Sequence, residues 1–176
     1  MSEYKIIFLG DSLTAHGNWS RLFPGVNIVN YGVPGDKTRD ILDRLDKLIK
    51  EDAKKLFLMC GINDIGDGRD VNDILSDYER LVERLIQRLP ETKIYLLSVL
   101  PVRLQMIDNK NISLNKINTL NEKIHRMAEK KSLVYIDLHN AFICTDGNLK
   151  SELTNDGVHL TERAYHLWKD QIINFI

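Results

Sequence analysis

Five short apolar runs, separated by stretches of helical spacing, constrain this chain more than any other feature. The runs are KIIFLG at 5–10, VNIVNYG at 26–32, KKLFLMCG at 54–61, KIYLLSVLP at 93–101 and LVYIDL at 133–138. Near-continuous apolar character over so few residues predicts strands buried on both faces. Between them Val71, Ile74, Leu75, Tyr78, Leu81, Val82, Leu85, Ile86 and Leu89 recur every three or four positions, which predicts an amphipathic helix. Ile41, Leu42, Leu45, Leu48 and Ile49 give a second, Leu114, Ile117, Leu120, Ile124 and Met127 a third, and Ala164, Leu167, Trp168, Ile172 and Phe175 a last one with Thr161 as its N-cap. Strand-helix alternation along the whole chain implies right-handed crossovers and a five-stranded parallel sheet covered on both faces, a three-layer α/β/α sandwich. With 176 residues, 43% of them hydrophobic, the chain is read as one domain spanning 1–176.

Charge narrows the partners. A formal net charge of −1, with charged residues of both signs interspersed, provides no basic face for nucleic acid or anionic lipid. A small uncharged or weakly charged molecule is the expected partner, and homo-oligomerisation is left open. Cys60 and Cys144 lie far apart without metal-ligand spacing, so both are expected to be reduced thiols. Glu3 and Lys5 flank an apolar run of only Ile6 to Leu9, which does not resemble a signal peptide, and no later run is long enough to span a membrane. The expectation is a soluble, cytoplasmic protein.

In an open parallel sheet, ligands bind beyond the carboxyl ends of the strands, where strand order reverses. If that order is 2-1-3-4-5, three polar loops become neighbours: Gly10-Asp11-Ser12-Leu13, Gly32-Val33-Pro34-Gly35-Asp36 and Gly61-Ile62-Asn63-Asp64. They bring a hydroxyl at a helix start, a glycine whose N–H can approach a ligand closely, and a side-chain amide, which is the chemistry of acyl transfer. A serine nucleophile needs a base, and the base needs an orienting group. Asp156 and His159, three residues apart in NDGVHLT, supply both. Strand five lies about 14 Å from strand one, a span that the Leu138 to Gly157 segment can cross. Ser12 is therefore the expected nucleophile, His159 the base and Asp156 its partner, with Ser12 N–H, Gly35 N–H and the Asn63 amide as the oxyanion hole. The serine sits in G-D-S-L after the first strand, not in the G-x-S-x-G elbow of α/β-hydrolases.

Four blocks in this order resemble the SGNH hydrolases, the GDSL-type esterases and lipases. Gly10-Asp11-Ser12-Leu13 is similar to the family's first block, Asn30 to Asp36 to its second, Gly61-Ile62-Asn63-Asp64 to its third and Asp156-Gly157-Val158-His159-Leu160 to its fifth. The resemblance implies a flavodoxin-like fold, no cofactor, Ser12 as nucleophile, Asp156 and His159 completing the triad, and Gly35 and Asn63 as oxyanion donors. Ile62 stands where many members carry threonine. Gly32 and Gly35 compete for the second-block role, and Gly35 is preferred because it precedes Asp36 in a Gly-Asp pair.

Taken singly, these residues have plainer explanations: Ser12 as a helix N-cap, Asn63 or Asp64 as turn formers, Asp156-Gly157 as a turn. His16 reads as a partly exposed helix residue. Asp137 and His139 lack a third ligand for a metal, so none is expected, and Cys60 reads as an inert buried thiol. The segment Leu100 to Ser113 carries Val102, Leu104, Met106 and Ile107. Met106 and Ile107, with Leu13 and Trp19, are expected to wall an acyl pocket for a small acyl ester, such as a carbohydrate acetate or a lysophospholipid-like molecule. The alternative is a non-catalytic flavodoxin-like module holding an anionic small ligand at the first helix start.

Overall fold

The computed structural model describes residues 4–48 and 53–176. Five parallel strands, β1 (Lys5–Gly10), β2 (Asn27–Gly32), β3 (Lys55–Met59), β4 (Lys93–Leu97) and β5 (Val134–Ile136), form one sheet in the order β2-β1-β3-β4-β5. The fold is flavodoxin-like α/β, as the family resemblance implies, and its parallel five-stranded sheet is the one the apolar runs predict. Alternation along the strands divides the interior into two layers. Ile7, Leu9, Leu56, Leu58, Ile94 and Leu96 face a core shared with α3 (Thr38–Leu48), α4 (Ile62–Gly66), α5 (Val71–Arg88) and α6 (Leu114–Lys130). Ile6, Phe8, Phe57, Met59, Tyr95 and Leu97 face the other, with α1 (Ser12–Ala15), α2 (Trp19–Leu22), α7 (His139–Phe142) and α8 (Glu162–Ile172). Among the predicted helical positions, Ile49 and the side chain of Leu48 lie outside the described residues.

The register determines where the loops emerge. Gly10 pairs with Gly32 on one side and with Met59 on the other, so β1, β2 and β3 end level and release their loops side by side. Gly32 also permits a close approach, since a β-carbon there would meet Ala15 N at 2.3 Å. The glycine thus lets α1 lie against the end of β2.

The return from β5 is not a bare loop. It contains α7, a bridge between Ile143 and Leu149, a 3-10 turn at Ser151–Leu153 and a bridge between Thr154 and Leu160. It is stitched to the segment after β4: Leu149 N donates to Val102 O (3.0 Å), Arg103 N to Gly157 O (2.8 Å), and Leu104 N to Oδ1 of the buried Asn148 (3.0 Å). Thr161 caps α8 by accepting from Ala164 N, as expected, and Tyr165 Oη donates to Leu13 O (2.8 Å), tying the last helix to the first. Among the described residues, no helix is long and apolar enough to cross a membrane.

Candidate active site

Ser12 occupies the first position of α1, leaving its N–H without an intrahelical acceptor. The N-cap is its neighbour Asp11, whose Oδ1 accepts from Leu13 N (3.0 Å). The capping explanation of Ser12 is therefore taken up by another residue, and the hydroxyl points elsewhere: Ser12 Oγ lies 3.2 Å from His159 Nε2. On the far side of the ring, His159 Nδ1 lies 2.6 Å from Asp156 Oδ2. Residues 147 apart in sequence thus meet in one hydrogen-bonded row.

Asp156 is held by its own turn. Its Oδ1 accepts from Val158 N (2.9 Å) and His159 N (2.7 Å), leaving Oδ2 for the imidazole. Desolvation pushes this carboxyl up, but the His159 ring and the two backbone amides outweigh it and hold it down at about 2. Gly157, at φ +92°, makes the turn. Any side chain there would be strained and would crowd Arg103 O at 2.9 Å.

Asn63 sits in α4, and its Nδ2 donates to Asp36 O (2.9 Å). An amide nitrogen has two hydrogens, so this bond leaves one free. Ser12, Gly35, Ile62, Asn63, Met106, Ile107, Asp156, Val158 and His159 line one open cleft of about 690 Å3 at the carboxyl ends of the strands. Lys37 and Asp67 also line it and form an ion pair at 2.6 Å. Of the competing glycines, Gly35 reaches the cleft while Gly32 is occupied against α1.

Two expected wall residues lie elsewhere. Leu13 and Trp19 are each 3% exposed and belong to the core beneath α1 and α2. Trp19 packs edge-on against Phe8, Tyr165 and Trp168, and its Nε1 donates to Thr14 O. The physical reason is local helix geometry: α1 turns Leu13 and the start of α2 turns Trp19 toward the sheet. His16 is exposed at the end of α1, its ring centroid 5.4 Å from that of His159. Cys60 is buried, and burial, reinforced by Asp64, pushes its thiol well up, which leaves it a poor nucleophile. Among the described residues, no group of three or more His, Cys, Asp or Glu side chains is arranged to hold a metal ion.

Asp64 and Asp11 carry more than their sequence suggests. Fully buried Asp64 accepts from Thr38 N (2.8 Å), Thr38 Oγ1 (3.0 Å) and Arg69 Nη1 (2.5 Å), pinning α3 to α4. Asp11 is 1% exposed and its Oδ2 has no hydrogen-bond partner. Burial drives its carboxyl up to about 7 against the opposing pull of backbone amides and His159. The folded protein therefore keeps a proton that the unfolded chain releases near pH 4, and stability falls as pH rises between about 4 and about 7. Asp11→Asn keeps the Oδ1 cap and cannot ionise. Its urea midpoint, measured at pH 4.5 and pH 8, is expected to gain on wild type at the higher pH; a gap independent of pH would refute this role of burial.

The model of the GDSL-like Lipase/Acylhydrolase family matches residues 8–167. This chain belongs to that family. Among curated relatives, N-acylneuraminate cytidylyltransferase of Streptococcus agalactiae serotype III (strain NEM316) is 25% identical over 174 residues, covering 99% of this chain but 39% of its own length. This chain therefore spans about two fifths of that relative. Platelet-activating factor acetylhydrolase IB subunit alpha2 of Rattus norvegicus is 25% identical over 169 residues, covering 93% of this chain and 72% of its own. A solved structure from Streptococcus pneumonia, provisionally described as a platelet activating factor, superposes with a TM-score of 0.92 at 29% identity, over 99% of this chain and 86% of that one. This GDSL-family chain thus shares its architecture over 99% of its length with that solved structure.

Proposed function

We propose that this GDSL-family chain is a serine esterase that removes a small acyl group through an acyl-enzyme. The observation that carries the reading is the unbroken row Ser12 Oγ, His159, Asp156 alongside Asn63 in one cleft. His159 Nε2 takes the proton of Ser12 Oγ as that oxygen attacks the ester carbonyl. Asp156 Oδ2 holds the Nδ1–H tautomer and stabilises the imidazolium that forms. The oxyanion is received by Ser12 N–H, Gly35 N–H and the free hydrogen on Asn63 Nδ2, and donors of this kind are worth about 10²–10³ in rate each. As the C–O bond breaks, the proton on Nε2 passes to the departing alkoxide. Water, deprotonated by the same nitrogen, then releases the acid and restores Ser12.

The bound molecule is read as a small ester, and no metal or organic cofactor takes part in these steps. Met106 and Ile107, with Ile62, Ile112 and Val158, give the cleft apolar wall, while Lys37, Asp67, Asp108 and Asn109 make its rim polar. This combination suits a short acyl chain on a hydrophilic alcohol, such as a carbohydrate acetate or a lysophospholipid-like ester, and the acetylhydrolase name of one relative agrees with a short acyl group. The anion-module alternative finds less support, because α1 has only four residues and its start is already capped by Asp11.

Incubation with a fluorophosphonate, followed by peptide mass spectrometry, tests the reading; the adduct is expected on Ser12, and labelling at another residue would defeat it. Acyl preference is tested with p-nitrophenyl esters from acetyl to octanoyl. Met106→Ala and Ile107→Ala are expected to move kcat/KM toward longer chains by about tenfold, because each opens the wall by more than one methylene. An unchanged preference in both variants would remove these residues from the acyl site.

A further inference from the structure

The loop between β2 and α3 is held by polar contacts and not by packing. Val33, Pro34 and Gly35 are exposed, and a β-carbon on Gly35 would meet nothing within 4 Å. Its anchors are hydrogen bonds: Val33 N to Gly10 O (3.0 Å), Asn63 Nδ2 to Asp36 O (2.9 Å) and Arg44 Nε to Asp36 Oδ2 (2.5 Å). The last is an ion pair whose side chains are only 18% and 12% exposed. The same guanidinium reaches past Asp36, donating from Nη2 to Tyr31 O (2.9 Å) and Gly10 O (3.3 Å). Arg44, on α3, thus grips the carboxyl ends of β1 and β2 and the loop that carries Gly35.

We propose that Arg44 is a positioning residue for acyl transfer: by fixing Asp36 it sets the direction of the Asn63 amide and the place of the Gly35 N–H. This rests on the oxyanion role given to those two residues above. Asp36 O takes one hydrogen of Asn63 Nδ2, so where that carbonyl sits dictates where the other hydrogen points. Oxyanion donors act through geometry, and a displacement of about 1 Å costs about 10²-fold. Only a planar fork spans a carboxylate and two carbonyls at once. Lysine carries its three donors on a single nitrogen, which cannot stand both where Nε meets Asp36 and where Nη2 meets the two carbonyls.

A four-enzyme cycle tests this with p-nitrophenyl acetate: wild type, Asn63→Ala, Arg44→Lys and the double variant, each assayed well below its unfolding temperature. Asn63→Ala is expected to lower kcat by about 10²–10³. Arg44→Lys is expected to lower kcat by about tenfold or more with KM within about threefold, since the ground state makes no use of the oxyanion hole. In the Asn63→Ala background the Arg44 change should cost at least about threefold less than in wild type, because one of the two donors it positions is gone. A merely structural arginine would instead cost the same factor in both backgrounds, and that result, or wild-type kcat in Arg44→Lys, overturns the proposal. If Arg44→Lys does not fold, Arg44→Gln serves in the same cycle. An Asn63→Ala enzyme with wild-type kcat would remove the oxyanion role of Asn63 itself, and the Arg44 proposal with it.

Discussion

Replacing Ser12 by alanine is expected to lower kcat for p-nitrophenyl acetate by about 10⁴- to 10⁶-fold, the scale seen when a serine hydrolase loses its nucleophile. The change deletes one oxygen whose partner in the structure is His159 Nε2. It leaves the start of α1 intact, because Asp11 and not Ser12 caps that helix. The thermal midpoint should therefore stay within a few degrees of wild type, and circular dichroism should be unchanged. Fluorophosphonate labelling should vanish together with the activity. A Ser12→Ala protein that hydrolyses the ester at the wild-type rate would end the nucleophile assignment, whatever the geometry of the cleft.

Asp156→Asn is expected to cost about 10³- to 10⁴-fold in kcat while leaving the fold in place. The two carboxylate oxygens have separate duties. Oδ1 accepts from Val158 N and His159 N, and an asparagine carbonyl preserves both bonds. Oδ2 faces His159 Nδ1, where the asparagine NH2 presents hydrogens instead. The ring must then expose a bare Nδ1 and carry its proton on Nε2, the atom that has to receive the proton of Ser12. A wild-type rate in this variant would show that Asp156 only shapes its turn. The stability effect has a definite sign as well. With its carboxyl held down at about 2, Asp156 contributes stability above the ordinary carboxylate range, and this is lost as pH falls from about 4 towards 2. Asp156→Asn should flatten that acid limb in a pH series of urea midpoints, while the rate loss should persist at neutral pH.

The central strands β1, β3 and β4 were legible because they are buried, which leaves a nearly unbroken apolar signature, whereas the edge strands β2 and β5 are only partly covered and their runs carry polar residues such as Asn27, Asn30 and Asp137. Strand ends were less legible. The fourth run reads as 93–101, yet the strand is Lys93–Leu97, and Ser98 to Val102 are buried without belonging to it. Apolar composition reports burial, not ladder pairing, and β4 runs out of partner where the three-residue β5 stops at Ile136. Leu13 and Trp19 illustrate the same limit from the other side. An apolar residue beside a proposed nucleophile has two apolar destinations, cleft or core, and only the direction of the following helical turn chooses between them.

By itself the sequence determined the layer architecture and, on the condition of a 2-1-3-4-5 strand order that the folded sheet then met, pointed to the loops proposed to hold the chemistry. Periodicity, glycine placement and the G-D-S-L, G-I-N-D and D-G-V-H-L blocks are local properties, readable one segment at a time. The tertiary structure alone decided how those loops are held. That Asp11 is a buried cap, that Asp64 pins two helices and that Arg44 reaches Asp36, Tyr31 and Gly10 cannot be read from spacing. A charged residue on a helix is solvated by default, and its pairing depends on which strand ends the folded sheet brings within reach.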